Sequence, residues 1–167
     1  IRPEMVFRLG SITKQFTAVA ILMLEARGKL SLQDRITKYV PRYPVYGHKI
    51  TIEHLLTHTS GIKSYTNVPE FWKDAKEDRT PLEHTAMFRD VPMEFAPGER
   101  WSYNNSGYFL LGVIIEKITG ESYEAFLKKN IFDKLGMRDM HYDLPGKLIA
   151  GRVAGYDVGP GGAINTP

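Results

Sequence analysis

The sequence predicts a mixed α/β (α+β) fold that is mostly helical, with a few strands near its two ends. Three observations favour this class. The 167-residue chain, 43% hydrophobic and 25% charged, has the length and composition of one globular domain. Between about 11 and 135, apolar residues recur at helical spacing behind capping residues. At 1–10 and 148–167, short apolar runs border glycines. We therefore expect one domain over 1–167, helical in its middle and strand-containing at its ends.

The first two predicted elements are a strand and a helix. The apolar run at 5–9 ends at Gly10, which is typical of a buried strand entering a turn. A helix is expected to follow at once, with Ser11 as its N-cap and Gly28 just beyond its end. Its apolar residues share one helical spacing: Ile12, Phe16, Val19, Ala20, Met23 and Leu24.

Capping residues predict the helices that follow. A short amphipathic piece around 32–40 and a loop at 41–47 precede Thr51, which is expected to cap a brief helix ended by Gly61. The sequence Thr80-Pro81-Leu82-Glu83 forms a capping box with proline at the first helical position. Another helix is therefore predicted to start there.

The most apolar helix is expected at about 107–119, between a polar loop at 100–106 and Gly120. Ser122 can cap a further helix that runs to about residue 132. The tail differs in character, because 149–158 predicts a strand and 159–162 is a glycine-rich turn.

Charge and composition exclude several classes of partner. The formal net charge is +3 and the charges are interspersed, so no basic stripe favours nucleic acid. The longest apolar stretch, 108–115, is far shorter than the roughly 20 residues of an integral membrane segment. The chain has no cysteine, which excludes disulfides and thiol chemistry. The sequence does not indicate an oligomeric state.

Ser11 and Lys14 are the first candidate catalytic residues. A serine hydroxyl needs a nearby base, and a lysine three positions later lies on the same helix face. The S-x-x-K pattern also occurs at Ser60 and Lys63. Gly61 would end a helix directly after Ser60, so Lys63 need not share its face. The helix start favours Ser11.

A second catalytic group is expected in the polar loop before the apolar helix. Enzymes with a serine nucleophile and a lysine partner need a proton-shuttling tyrosine or serine and an amide that orients the substrate. Tyr103-Asn104-Asn105 offers both. Two alternatives stay open, namely Tyr65-Thr66-Asn67 and the S-x-N register of Ser102-Tyr103-Asn104. His54 and His58 have the i, i+4 spacing of metal ligands, but no third ligand accompanies them.

Four sequence blocks occur in a distinctive order along the chain: Gly10-Ser11-Ile12-Thr13-Lys14 with Phe16-Thr17-Ala18, Leu55-Leu56-Thr57-His58-Thr59-Ser60-Gly61-Ile62, Pro97-Gly98 with Trp101, Tyr103, Asn105, Gly107 and Tyr108, and Leu135-Gly136-Met137. Together they resemble the class C β-lactamase-like proteins, relatives of the penicillin-binding proteins and of certain peptidases and esterases. The resemblance implies a β-lactamase/transpeptidase-like fold, here mainly its helical subdomain with a few strands of its α/β subdomain. It also implies Tyr103 as the partner tyrosine, Asn105 as the substrate-binding asparagine and a structural role for 58–61.

The implied activity is that of a serine hydrolase acting through an acyl-enzyme on an amide, a β-lactam or an ester. β-Lactamases, D-Ala-D-Ala carboxypeptidases and esterases share these boxes, and the expected partner is a small-molecule or peptide-like substrate. No cofactor and no metal are expected. An extracytoplasmic location, periplasmic or secreted, follows from the same resemblance.

The family's third box, Lys-Thr-Gly or His-x-Gly on a strand beside the site, has no match in this sequence. Lys134-Leu135-Gly136 has the spelling but coincides with the Leu-Gly-Met block. Family members also have strands before Ser11 and beyond Gly162, so we interpret the chain as a fragment. The alternative function is a non-catalytic β-lactamase-fold protein, or an inactive fragment, that binds peptidoglycan-like or other ligands.

Overall fold

The computed structural model of the protein describes residues 1–73, 77–144 and 146–166. The helices in this part are α1 (Thr13–Ala26), α2 (Ile52–Leu56), α3 (Pro69–Lys73), α4 (Pro81–Arg89), α5 (Asn105–Thr119) and α6 (Tyr123–Leu127). Strands β1 (Gly155–Gly159) and β2 (Gly162–Thr166) form an antiparallel pair in which Asp157 lies opposite Ile164. The mixed, mostly helical fold predicted from the sequence is confirmed.

Helix α5 is the centre of the core. It packs against α1, α2, α4 and α6. Its fully buried residues are spaced as one helix face: Leu110, Leu111, Ile114 and Ile115. Ala20, Ile21 and Leu24 of α1 are buried as well. Because each such large apolar side chain contributes about 1.5–3 kcal/mol when fully buried, this α1 and α5 packing gives the functional residues a rigid base.

Side-chain caps fix where four helices begin. The capping boxes at Thr51 and Thr80 form as predicted, and Ser122 caps α6. Helix α6 continues into a π-helical turn at Lys128–Phe132. Helix α5 begins at Asn105, two residues earlier than expected, because Asn104 Oδ1 accepts the Gly107 N–H at 2.7 Å. Asn105 therefore lies in the first helical turn and not in the preceding loop.

The prediction that Ser11 caps α1 is wrong. Gly10–Ile12 forms a 3₁₀ turn, α1 starts at Thr13, and no side chain caps it. The end of α1 is as predicted: Gly28 has a φ of 65°, and the next N–H, that of Lys29, bonds to Leu24 O at 2.9 Å. The Ser11 hydroxyl is engaged by other side chains.

The prediction that Gly61 ends the second helix is also wrong. Helix α2 stops at Leu56, and His58 takes the left-handed position beyond it with a φ of 60°. The Thr59 N–H bonds to His54 O and the His58 N–H to Leu55 O, which is a Schellman motif. Glycine is usual there because a left-handed residue with a Cβ costs about 1–2 kcal/mol. Within the described ranges, His58 is the non-glycine residue with a positive φ.

The turn before α2 is organised by Asp34. Its carboxylate accepts hydrogen bonds from the Ser31 N–H at 2.9 Å, Lys38 Nζ at 2.8 Å and the Tyr39 hydroxyl at 2.6 Å. Burial opposes ionisation of Asp34, but these donors outweigh it and hold its pKa at about 2. The ionised carboxylate therefore stabilises the folded turn.

The chain ends are less regular than expected. The predicted buried strand at 5–9 is wrong, because only Val6 makes a bridge, to Arg152, while Phe7 and Leu9 are exposed. With one paired residue, that run cannot form a ladder. The predicted strand at 149–158 starts late, at Gly155, and turns at 160–161 into β2. In the described part of the chain, no helix is long and apolar enough to cross a bilayer.

Candidate active site

Ser11, Lys14, Tyr103 and Asn105, the four residues selected from the sequence, lie in contact with one another. Lys14 Nζ donates to Ser11 Oγ at 3.1 Å and to Asn105 Oδ1 at 2.7 Å. The Tyr103 hydroxyl donates to Ser11 Oγ at 2.5 Å. Ser11 Oγ thus receives one hydrogen bond from the first turn of α1 and one from a residue 92 positions away. This arrangement places two proton-transfer groups on one potential nucleophile.

The ring of Tyr103 lies beside the Lys14 ammonium group, with Nζ 4.8 Å from the ring centroid. Burial opposes ionisation of the Tyr103 hydroxyl. The hydrogen-bonding contacts with Lys14 and Ser11 and the Lys14 charge outweigh burial, so the pKa of Tyr103 lies below its ordinary value of 10. A phenolate is therefore easier to form here than in water.

Asn105 is fixed by the segment that follows α2. Its Nδ2 donates to Thr66 Oγ1 at 3.1 Å, and its backbone N–H donates to Ser64 Oγ at 3.2 Å. Ser106, which is fully buried, accepts the Tyr65 N–H and donates to a backbone carbonyl, both at 2.8 Å. Neither Ser64 nor Ser106 is part of a motif that predicts a role in the site. Their proximity to the two Y-x-N patterns was the only signal that could have indicated one.

The competing S-x-x-K pair does not form. Ser60 is 1% exposed and its Oγ accepts the Ile62 N–H at 3.4 Å. Lys63 points elsewhere and forms an ion pair with Glu94 at 2.7 Å. The αL residue His58 turns the chain before Ser60, so the two side chains do not share a helix face.

The two alternative registers of the tyrosine box do not bring both a tyrosine hydroxyl and a free amide to Ser11. Asn104 is buried, and its amide caps α5 and donates to the Ile62 carbonyl, so the S-x-N register leaves no free amide at Ser11. Tyr65 packs edge-on against Phe71 and His84, and its partner Thr66 contacts Asn105. The register with Tyr103 and Asn105 is the one that meets Ser11.

The two histidines with metal-ligand spacing, His54 and His58, accept hydrogen bonds from backbone N–H groups. His54 Nδ1 accepts the Thr51 N–H at 3.2 Å and His58 Nδ1 accepts the Asn104 N–H at 3.0 Å. Over residues 1–73, 77–144 and 146–166, no group of three metal-ligating side chains comes together. Burial, then the charge of Lys14, lowers the pKa of His58 below 6.5.

Ser11 opens into a cavity of about 370 Å³ between α1 and α5. Its wall is rich in rings, contributed by Tyr65, Tyr108, Phe109, Tyr123 and Tyr142. Gly112 leaves room in the wall, because a Cβ there would meet Tyr123 at 3.6 Å. Lys134 and Leu135, which have the spelling of a third box with Gly136, are exposed in a turn after the π-helical segment and do not line this cavity.

Comparison with known proteins places these features in context. The family model described as Beta-lactamase matches residues 1–166. Penicillin-binding protein 4* of Bacillus subtilis is 38% identical over 145 residues, covering 83% of this chain and 31% of that protein. Esterase EstB of Burkholderia gladioli is 32% identical over 160 residues, covering 83% of this chain and 39% of the esterase.

Solved structures of a penicillin-binding-protein homologue and of an amidase are also similar to this chain. The octameric penicillin-binding protein homologue of Pyrococcus abyssi superposes with a TM-score of 0.82 at 39% identity, over 99% of this chain and 40% of that one. The D-amino acid amidase of Ochrobactrum anthropi, complexed with L-phenylalanine amide, gives 0.81 at 28% identity, over 99% of this chain and 48% of the amidase. The chain spans about a third of the length of the curated relatives it matches, and less than half of these two solved chains.

Proposed function

The chain belongs to the beta-lactamase family, and on that premise we propose that it is a serine hydrolase whose acyl-enzyme forms on Ser11. One observation carries the proposal. Tyr103 and Lys14 both donate to Ser11 Oγ, at 2.5 and 3.1 Å. A serine that only filled space would need neither, and nucleophilic catalysis by a hydroxyl requires an adjacent group that can take its proton once that group is itself deprotonated.

In the proposed reaction, Tyr103 or Lys14 first loses its own proton to solvent, and Ser11 Oγ then attacks the substrate carbonyl carbon and gives its proton to that phenolate oxygen or amine nitrogen. The tetrahedral intermediate collapses, the leaving amine or alcohol takes up that proton, and the acyl group remains on Ser11. Water then attacks the acyl-enzyme, which releases the acid and restores the hydroxyl. The lowered pKa of Tyr103 favours the tyrosine as the proton acceptor. Proton transfer by a positioned group accelerates such steps about 10²–10⁴-fold.

Asn105 has two proposed tasks. Its Oδ1 holds Lys14, which supports a positioning role in the free protein. Its Nδ2 is engaged by Thr66, so a substrate amide that binds Asn105 must replace or share that hydrogen bond. We propose that substrate binding exchanges the Thr66 hydroxyl for the substrate carbonyl.

The proposed substrates are amides, β-lactams or esters, because the relatives include penicillin-binding proteins, an esterase and an amidase. The ring-lined cavity beside Ser11 favours an acyl group with an apolar or aromatic substituent. An extracytoplasmic location is part of the same proposal, because the relatives include penicillin-binding proteins.

The second candidate is a non-catalytic binder of peptidoglycan-like or other ligands. The observation that favours it is the lack of a Lys-Thr-Gly or His-x-Gly box that matches the family's third box in this sequence. That box supplies the second oxyanion donor in the family, and one lost donor costs about 10²–10³-fold in rate. Binding with no covalent adduct would support this second function.

Labelling with a fluorescent penicillin and a fluorophosphonate tests the two functions. We expect a covalent adduct on the native protein that disappears in Ser11→Ala and persists in Ser60→Ala, a matched control within the rival S-x-x-K pair. Mass spectrometry of the labelled peptide would identify the serine. An adduct that survives in Ser11→Ala, or no adduct on the native protein with either probe, would contradict the catalytic proposal.

A further inference from the structure

We propose that His58 is a positioning residue that holds Tyr103 and Asn105 in place through its neutral, Nε2-protonated imidazole, so that acylation of Ser11 fails when this ring is protonated. The proposal rests on the proposed function. It adds a residue that does not touch Ser11 and assigns it a measurable pH dependence.

The backbone at His58 is the first observation. This residue occupies the C′ position of the Schellman motif after α2, with a φ of 60°. Glycine or asparagine satisfies that position with less strain. Strained residues persist where the surrounding structure determines them and are concentrated at functional sites. The strain at His58 therefore indicates that its side chain has a task.

The contacts of His58 with the tyrosine loop are the second observation. Its carbonyl accepts the Ser102 N–H at 2.9 Å, and its Nδ1 accepts the Asn104 N–H at 3.0 Å. These two hydrogen bonds hold the residues on either side of Tyr103. Because Asn104 is the N-cap of α5, the same ring also fixes where Asn105 begins the helix.

The ring of His58 also supports the tyrosine side chain. It contacts the Tyr103 and Tyr108 rings, with centroid separations of 4.7 and 5.0 Å and interplanar angles of 38° and 32°. Lys14 Nζ lies 4.8 Å from the Tyr103 centroid. These contacts thus help to hold the Tyr103 ring whose hydroxyl donates to Ser11 Oγ.

Protonation of His58 would disrupt this arrangement. An Nδ1 that accepts the Asn104 N–H carries no proton, so the neutral ring is the Nε2–H tautomer. If Nδ1 were protonated, its N–H would face the Asn104 N–H, and the hydrogen bond between them would be lost. The titratable groups facing the ring are Lys14 from α1, Tyr103 from the loop and Tyr108 from α5. Burial and the nearby Lys14 charge disfavour the imidazolium and hold the pKa of His58 below 6.5, so the ring becomes protonated only at acid pH.

His58→Asn is the informative variant. Asparagine tolerates the left-handed conformation and offers Oδ1 as an acceptor for the Asn104 N–H, but it does not titrate. His58→Gly relieves the strain and removes both the acceptor and the ring. His54→Asn is the matched control, because His54 also accepts a backbone N–H but caps α2 away from Tyr103.

The pH profile of Ser11 acylation by the fluorophosphonate decides the proposal. We expect a break in the native pH profile at a midpoint under 6.5, below which the rate falls about tenfold more per pH unit than protonation of the proton acceptor alone would cause, and His54→Asn to keep this acid limb. His58→Asn should stay within about tenfold of the native rate at pH 8 and lose the limb. His58→Gly should be more than tenfold slower at pH 8. An unchanged acid limb in His58→Asn, or a native rate in His58→Gly, would overturn the proposal.

A titration followed by nuclear magnetic resonance separates this proposal from the proposed function. We expect His58 to be the Nε2–H tautomer at neutral pH, and the Asn104 amide and Tyr103 ring signals to shift with the His58 midpoint. In His58→Asn those shifts should vanish. If the native protein is not acylated, the proposed function fails while this measurement still decides the role of His58. If the Asn104 and Tyr103 signals do not shift as His58 titrates, the positioning role of His58 is refuted.

Discussion

Replacing Ser106 by alanine removes one hydroxyl from α5 and leaves two backbone groups without their partner. Ser106 Oγ accepts the Tyr65 N–H and donates to the Lys63 carbonyl, each at 2.8 Å. The serine itself is fully buried, so water cannot reach the position of the lost hydroxyl. The substitution therefore tests how strongly the 63–66 segment is held to the helix that carries Asn105.

The magnitude follows from the two orphaned groups. A buried donor or acceptor that loses its partner costs about 1–3 kcal/mol. Tyr65 and Lys63 are half-buried, so the lower part of this range applies to each, giving about 2–4 kcal/mol together. Alanine is the better helix former and offsets about 0.5 kcal/mol of this loss. We expect Ser106→Ala to lower the free energy of unfolding by about 2 kcal/mol.

Urea unfolding followed by circular dichroism measures this loss. With a slope of about 1–3 kcal/mol per molar urea, the midpoint should fall by about 1 M. Ser31→Ala is the matched control, because Ser31 Oγ accepts the Gln33 N–H at 3.2 Å in an exposed turn. Water replaces that partner, and we expect a change under about 0.5 kcal/mol. If Ser106→Ala and Ser31→Ala change stability equally, the reasoning from burial is refuted.

Three further predictions concern the site and its surroundings. Tyr103→Phe removes the hydroxyl at Ser11 and should slow acylation about 10²–10⁴-fold in a stopped-flow assay; a change below threefold would exclude proton transfer by this group. Asp34, with its lowered pKa, contributes stability that is complete above the unfolded pKa of 3.8 and is lost as pH falls toward 2. Melting curves of Asp34→Asn should therefore converge with those of the native protein between pH 5 and 2, and a constant gap would contradict this. Gly112→Ala should raise the free energy of unfolding by about 0.5–1 kcal/mol, because its Cβ meets Tyr123 at an ordinary 3.6 Å. The same variant should narrow the cavity and lower kcat/KM for phenylacetyl esters relative to acetyl esters. An unchanged ratio of the two kcat/KM values would show that this cavity does not bind the acyl group.

Several features could be predicted from the sequence because they depend on neighbours within one helical turn. The capping boxes at Thr51 and Thr80, the Ser122 cap and the apolar face of α5 are of this kind. So is the contact of Lys14 with Ser11, since residues three apart are adjacent in a 3₁₀ turn that leads directly into a helix. Local hydrogen bonding and periodicity decide these features before any tertiary contact forms.

Other features could not be predicted, because they depend on which groups from distant parts of the chain contact a given atom. The Ser11 hydroxyl was free to cap α1 by sequence alone, but Tyr103 and Lys14 take it in the folded chain. His58, not Gly61, takes the left-handed position after α2, where its ring stacks with Tyr103. The run at 5–9 has strand composition, yet among the described residues its strand pairing is limited to one bridge, between Val6 and Arg152.

The sequence by itself thus determined the approximate positions of most helices, the caps at Thr51, Thr80 and Ser122, and the candidate quartet of Ser11, Lys14, Tyr103 and Asn105. Only the tertiary structure decided that Tyr103 reaches Ser11 across 92 residues and which asparagine faces Lys14. The physical reason is that a hydrogen bond between distant segments requires both to be held by a common core. Here that core is the packing of α1 against α5, whose geometry no local pattern encodes.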